Sequence, residues 1–114
     1  MKSSKVWGET YFIYGNDNFA AHRIRVDRDG YCSMHTHKSR WNLFYIESGA
    51  LEIEVHKQEY DLVEKTLLTT GESMTVAPGD PHRFKALDNT IAYELYYQTP
   101  VSESDIQRSD VGGR

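Results

Sequence analysis

The chain is short of several things that would steer its fold or its partners. A single cysteine, Cys32, stands among 114 residues, so no internal disulfide can staple the fold, in agreement with a reducing compartment. No apolar run approaches the roughly 20 residues that cross a bilayer. The opening Met1-Lys2-Ser3-Ser4-Lys5 leads into Val6-Trp7-Gly8 without the apolar centre of a secretion signal. These absences predict a cytoplasmic protein with no membrane partner. Basic residues are not in excess: 13 Lys and Arg against 17 Asp and Glu give a net charge of -4. That is the wrong sign for neutralising phosphates, so nucleic acid is not an expected partner. Helical periodicity is scarce, its one hint falling at Glu103 to Arg108, and there is no solenoid-length repeat or low-complexity tract.

What the chain does have is regular punctuation. Gly15-Asn16, Asp29-Gly30, Ser48-Gly49, Thr70-Gly71, Pro78-Gly79 and Asp88-Asn89 separate short β-prone runs, the rhythm of an antiparallel sandwich or barrel. The runs alternate as half-buried strands do. His22, Ile24 and Val26 oppose Arg23, Arg25 and Asp27, while Leu51, Ile53 and Val55 oppose Glu52, Glu54 and His56. The pattern predicts one all-β domain over residues 1–98, followed by a polar tail, 99–114, that packs on the barrel or on a partner subunit.

The histidines carry the chemistry. His35 and His37 are two apart in Cys32-Ser33-Met34-His35-Thr36-His37, and on a strand that spacing aims both imidazoles at one face. His82 follows the turn Pro78-Gly79-Asp80-Pro81, where a third imidazole can converge on the first two. Three neutral imidazoles suit a divalent transition metal, zinc first, with manganese, iron or nickel as alternatives, and leave coordination positions open for water or substrate. Other candidates read differently. Cys32 falls on the opposite strand face from His35 and His37 and reads as a small buried side chain; His22 reads as a core or pocket-wall histidine; His56 should face solvent.

Gly30, His35, His37, Asn42 and Gly49, then Gly71, Pro78, Gly79 and His82, resemble the two motifs of the cupin superfamily. The resemblance implies a double-stranded β-helix, the jelly-roll barrel, and a metal held by His35, His37 and His82. The family's glutamate ligand falls on Asn42, which offers a neutral amide oxygen and leaves a bound ion more of its positive charge. Strand parity places Asn42 on the face of Phe44 and Ile46.

Lys5-Val6-Trp7-Gly8, Ala77 through Phe84, Glu94 through Gln98, Asp105 through Arg108, and Gly113-Arg114 are similar to the cupin domain of type II mannose-6-phosphate isomerases. That likeness implies interconversion of an aldose phosphate and a ketose phosphate, with a sugar or sugar phosphate as the small-molecule partner. Glu94, on one strand face with Tyr96 and Gln98, is then the candidate base. Arg83 or Arg40 would anchor the phosphate. Two alternatives remain open: a non-catalytic sugar-binding cupin, and a three-histidine iron dioxygenase. Exposed strand edges and the cupin likeness both imply a homodimer.

Overall fold

The structure is a computed structural model that describes residues 1–98, 109 and 111–114. Nine strands follow in order: β1 (Lys2–Lys5), β2 (Gly8–Gly15), β3 (Phe19–Val26), β4 (Trp41–Ser48), β5 (Ala50–Lys57), β6 (Leu62–Thr69), β7 (Ser73–Val76), β8 (His82–Ala86) and β9 (Thr90–Tyr97). The described residues contain no helix. The expected tail, including the helical hint at Glu103 to Arg108, falls mostly outside the described residues.

All pairings are antiparallel. They build a six-stranded sheet in the order β1-β2-β3-β9-β4-β7 and a three-stranded sheet in the order β6-β5-β8. The apolar alternation read in the sequence dictates the facing surfaces: Ile24 and Val26 of β3, Phe44 and Ile46 of β4, and Leu51, Ile53 and Val55 of β5 are all buried in one core with Phe84 and Ala86. Each large side chain taken out of water there contributes about 1.5–3 kcal/mol. This two-sheet barrel is the expected all-β jelly roll. The β4–β5 hairpin closes through Gly49, whose φ of +105° would strain any other residue and whose added Cβ would lie 2.4 Å from the Asn89 carbonyl oxygen.

One segment departs from expectation. Residues between Gly30 and Arg40 do not form a regular strand; they touch β8 through isolated bridges at Tyr31–Lys85 and His35–His82. Four residues are taken on one side of that pairing against three on the other, so the register slips between Cys32 and His35 as at a β-bulge. The slip cancels the simple parity that set Cys32 opposite the histidines. Cys32 is the small buried side chain expected, 6% exposed, but it points inward, and its sulfur accepts a 3.3 Å hydrogen bond from the Phe84 amide.

Candidate metal centre

Two backbone devices bring the histidines together. His35 and His82 exchange amide hydrogen bonds of 3.0 and 2.9 Å, which fixes the irregular segment against the first residue of β8. The Gly79 amide donates to the His37 carbonyl at 2.8 Å. Gly79 has a φ of +90°, a conformation that the Pro78-Gly79 reversal requires and that only glycine adopts readily. As a result the His35 and His82 rings lie 4.6 Å apart, His35 and His37 5.2 Å, and His37 and His82 5.5 Å, between centroids. One ligand atom from each imidazole lies within 4.8 Å of the others.

The hydrogen bonds assign the ring protons. His35 Nδ1 is 2.9 Å from the Ser33 carbonyl and His82 Nδ1 is 3.0 Å from the Asp80 carbonyl. A carbonyl only accepts, so each Nδ1 carries the hydrogen and each Nε2 presents a lone pair. His82 Nε2 faces the amide oxygen of buried Asn42 at 3.0 Å. Two acceptors so close repel unless a cation lies near both or the amide is reversed. His37 Nε2 is buried without any hydrogen-bond partner. An orphaned imidazole nitrogen, two further lone pairs and an amide oxygen facing one of them are a donor set that fits a divalent transition metal. Burial foremost, with the nearby His35, His82 and Arg40 charges, pushes the His37 pKa down to about 4, and burial lowers that of His82. At neutral pH both are therefore ready to ligate without shedding a proton.

The centre opens on a cavity of about 600 Å³ lined by His35, His22, Cys32, Trp7, Glu94 and Tyr96. Strand β9 turns Thr90, Ala92 and Glu94 inward, so Glu94 is 7% exposed and takes a hydrogen bond from the Tyr96 hydroxyl. Burial raises the Glu94 pKa, the Tyr96 hydrogen bond and His35 opposing it, and burial and the Glu94 charge raise that of Tyr96. The Tyr96 ring stands 4.9 Å from His37 and 5.8 Å from His22. Burial lifts the Cys32 thiol to about 11, so it stays protonated in the cavity wall.

The structure thus gathers His35, His37, His82 and Asn42, with Glu94 facing the same space. It does not bring Arg83 there. Arg83 points from the outer side of β8, 3.3 Å from Glu54 Oε1 and 6.0 Å from the Tyr31 ring, because its neighbours His82 and Phe84 take the inward face. Arg40 acts on the charge balance of both His37 and Tyr96. Tyr96 carries no motif of its own in the sequence; its spacing of two residues from Glu94 on one strand face is the signal that places it beside the centre.

The profile of a cupin domain matches residues 22–96. No curated protein matches the sequence. Among solved structures, KdgF from Halomonas sp. superposes with a TM-score of 0.74 at 18% identity, over 88% of this chain and 89% of that one. An RmlC-like cupin from Shewanella frigidimarina gives a TM-score of 0.68 at 18% identity, over 90% and 86%. Bacillus subtilis oxalate decarboxylase, a protein with Mn(II) centres, gives a TM-score of 0.78 at 15% identity; 91% of this chain corresponds to only 29% of that longer one. At such identities the shared property is the fold. The profile match takes in the three histidines, Asn42 and Glu94, and the chain belongs to the cupin domain family.

Proposed function

We propose that this cupin is a metal-dependent enzyme that moves a proton between adjacent carbons of a small hydroxy-carbonyl compound, a sugar or sugar phosphate, as in aldose–ketose isomerisation. The observation that carries the reading is the placement of Glu94: a buried carboxyl group lines the same cavity as His35. His35, His37 and His82, with Asn42 as the fourth donor, would hold the ion, zinc first and manganese, iron or nickel as alternatives. Such an ion supplies Lewis-acid stabilisation of negative charge growing on substrate oxygens.

Glu94 is the proton-transfer group. Its raised pKa matches its basicity to abstraction of a carbon-bound proton more closely than that of a solvated carboxylate. The Tyr96 hydroxyl fixes one carboxyl oxygen and leaves the other for the substrate. Trp7 and Phe84, packed edge to face at 5.0 Å, add an apolar stretch to the cavity wall. With Arg83 on the outer surface, the arginine available to a phosphate at the centre is Arg40, whose charge acts on His37. A neutral Asn42 where the family's motif has a carboxylate favours a second reading, a sugar-binding cupin without catalysis. We also infer a homodimer, supported by the exposed Tyr11, Phe12, Ile13 and Tyr14 of β2 beside the edge strand β1. A monomeric mass by light scattering removes that inference.

The test uses protein purified without added metal. Elemental analysis should find about one transition-metal ion per chain, absent from a His35→Ala, His37→Ala double variant. Incubation with mannose 6-phosphate in deuterium oxide should then place deuterium on the carbon next to the carbonyl. Glu94→Gln should stop the exchange while retaining the ion. Exchange unaffected by Glu94→Gln overturns the assignment of the base, and metal without exchange leaves the binding cupin.

A further inference from the structure

The six-stranded sheet is apolar on its outer face as well as on the face turned to the core. Strand β9 turns Thr90, Ala92 and Glu94 inward and Ile91, Tyr93, Leu95 and Tyr97 outward. The register carries that outer surface across three strands: Tyr97 lies between Phe19 and Trp41, Leu95 between Ala21 and Leu43, and Tyr93 between Arg23 and Tyr45. The Tyr45 and Tyr93 rings stand 6.4 Å apart, and Tyr45 is 42% exposed. An antiparallel sheet that leaves one face in water ordinarily turns polar side chains to it. This face does the reverse, and among the described residues there is no helix to cover it.

Charge, size and sequence indicate what fits against it. The cations on the face are paired: Arg23 with Glu47 at 3.5 Å, Lys2 and Arg25 with Glu9 at 3.4 and 3.3 Å, and Arg25 also with Asp27. The Tyr93 hydroxyl donates to Glu47 at 2.8 Å. A face so balanced meets its own copy without like-charge repulsion, although the whole chain carries -4. The pairs lie on the β1–β2–β3 side and at the end of β4, so they edge an apolar centre as the polar rim of a protein interface does. Strands about 4.8 Å apart that rise about 3.3 Å per residue give the sheet a footprint on the order of 600 Å². That is the scale of the roughly 800 Å² that each partner of a stable complex buries. The chain's own continuation is a poor cover, since between Thr99 and Asp110 the only large apolar side chains are Val101 and Ile106.

We propose that the outer face of the six-stranded sheet, centred on Tyr45, Tyr93 and Leu95, is the surface on which a second copy of this chain packs, sheet against sheet. The inference rests on the homodimer proposed above and names the face that makes it, in place of strand addition at β1. A two-fold axis through the face sets the same residues of both copies against each other. Glu94 points to the other side of β9, so packing here leaves both cavities open.

Sedimentation equilibrium of the full chain should give a dimer at micromolar concentration. Tyr45→Arg and Leu95→Asp should each raise the dimer Kd at least about a hundredfold with the far-UV circular dichroism unchanged, because an isologous contact meets every substitution twice. Leu67→Arg, at an exposed leucine of the three-stranded sheet, should leave the dimer intact. Tyr45 stands outside the core, so Tyr45→Arg stays folded and decides the matter if Leu95→Asp unfolds. A dimer that persists in Tyr45→Arg, or one that Leu67→Arg weakens as much, overturns this inference and leaves the homodimer standing. A wild-type chain that stays monomeric throughout the micromolar range removes the homodimer and this inference together.

Discussion

Two carboxylates on different sheets both show little surface, Glu54 beneath the side chains of neighbouring cations and Glu94 deep within the barrel, and they have opposite character. Glu54, 9% exposed on the outer face of β5, is surrounded by His56 Nε2 at 2.8 Å, Arg83 at 3.3 Å and Lys65 at 3.9 Å. Hydrogen bonding from His56, aided by the Arg83 and Lys65 charges, holds its pKa below the usual carboxylate value. Glu94, 7% exposed on the inner face of β9, takes its hydrogen bond from the neutral Tyr96 hydroxyl, and burial drives its pKa up. Burial sets the cost of the charge, and the partners decide whether that cost is met. Glu54 is a structural anion in an ion network, while Glu94 faces the cavity and is the proton carrier of the function proposed above.

The contrast can be broken or sharpened by measurement. The largest effect belongs to the centre beside Glu94. His82→Ala removes a ligand and the partner of Asn42, and metal affinity measured by competitive chelation should fall beyond the roughly 10–100-fold that loss of an outer-shell contact costs. Glu94→Gln should slow deuterium exchange by roughly 10²–10⁴-fold, whereas Glu54→Gln should leave the rate unchanged; equal losses would erase the distinction between the two carboxylates.

The pH dependence of stability should separate them next. The lowered Glu54 pKa contributes stability above the usual carboxylate value of 4.5 that is lost as pH falls through the lower folded value; the raised Glu94 pKa contributes stability at low pH that is lost as pH rises from 4.5 through the higher folded value. Calorimetric melting of the two Gln variants should therefore shift in opposite directions relative to wild type across pH 4 to 7. His37 adds to the Glu54 trend. With a folded pKa of about 4 against an ordinary 6.5, the unfolded chain binds the proton first, so metal-free protein should lose stability as pH falls between those values. His37→Phe should flatten that loss.

Arg83→Ala gives the smallest effect. Because Arg83 is 43% exposed, the change should cost within about 1 kcal/mol in urea unfolding and leave metal binding and exchange intact. Loss of exchange in that variant would return Arg83 to the active site.

Much of this organisation was legible in the chain. Ile24 with Val26 and Leu51 with Ile53 announced their inward faces by alternation, and Pro78-Gly79 announced the reversal that delivers His82. The His-x-His spacing did converge, although on an irregular segment instead of a strand. Strand β9 was not legible. Its outward positions Ile91, Tyr93, Leu95 and Tyr97 are apolar or aromatic, while its inward ones include Thr90 and Glu94, so hydrophobicity argues for the wrong face. Cys32 defeated parity for another reason, the one-residue slip against β8.

The sequence by itself determined the strand rhythm, the turns and the His-x-His spacing, because those depend on neighbours a few residues apart. Only the tertiary structure decided that Glu94 looks into the cavity, that Arg83 looks out, and that His22 shares a chamber with residues 13 and 60 or more positions away in the chain. Those outcomes depend on how distant strands are paired, and in a sheet a shift of one residue sends a side chain to the opposite face.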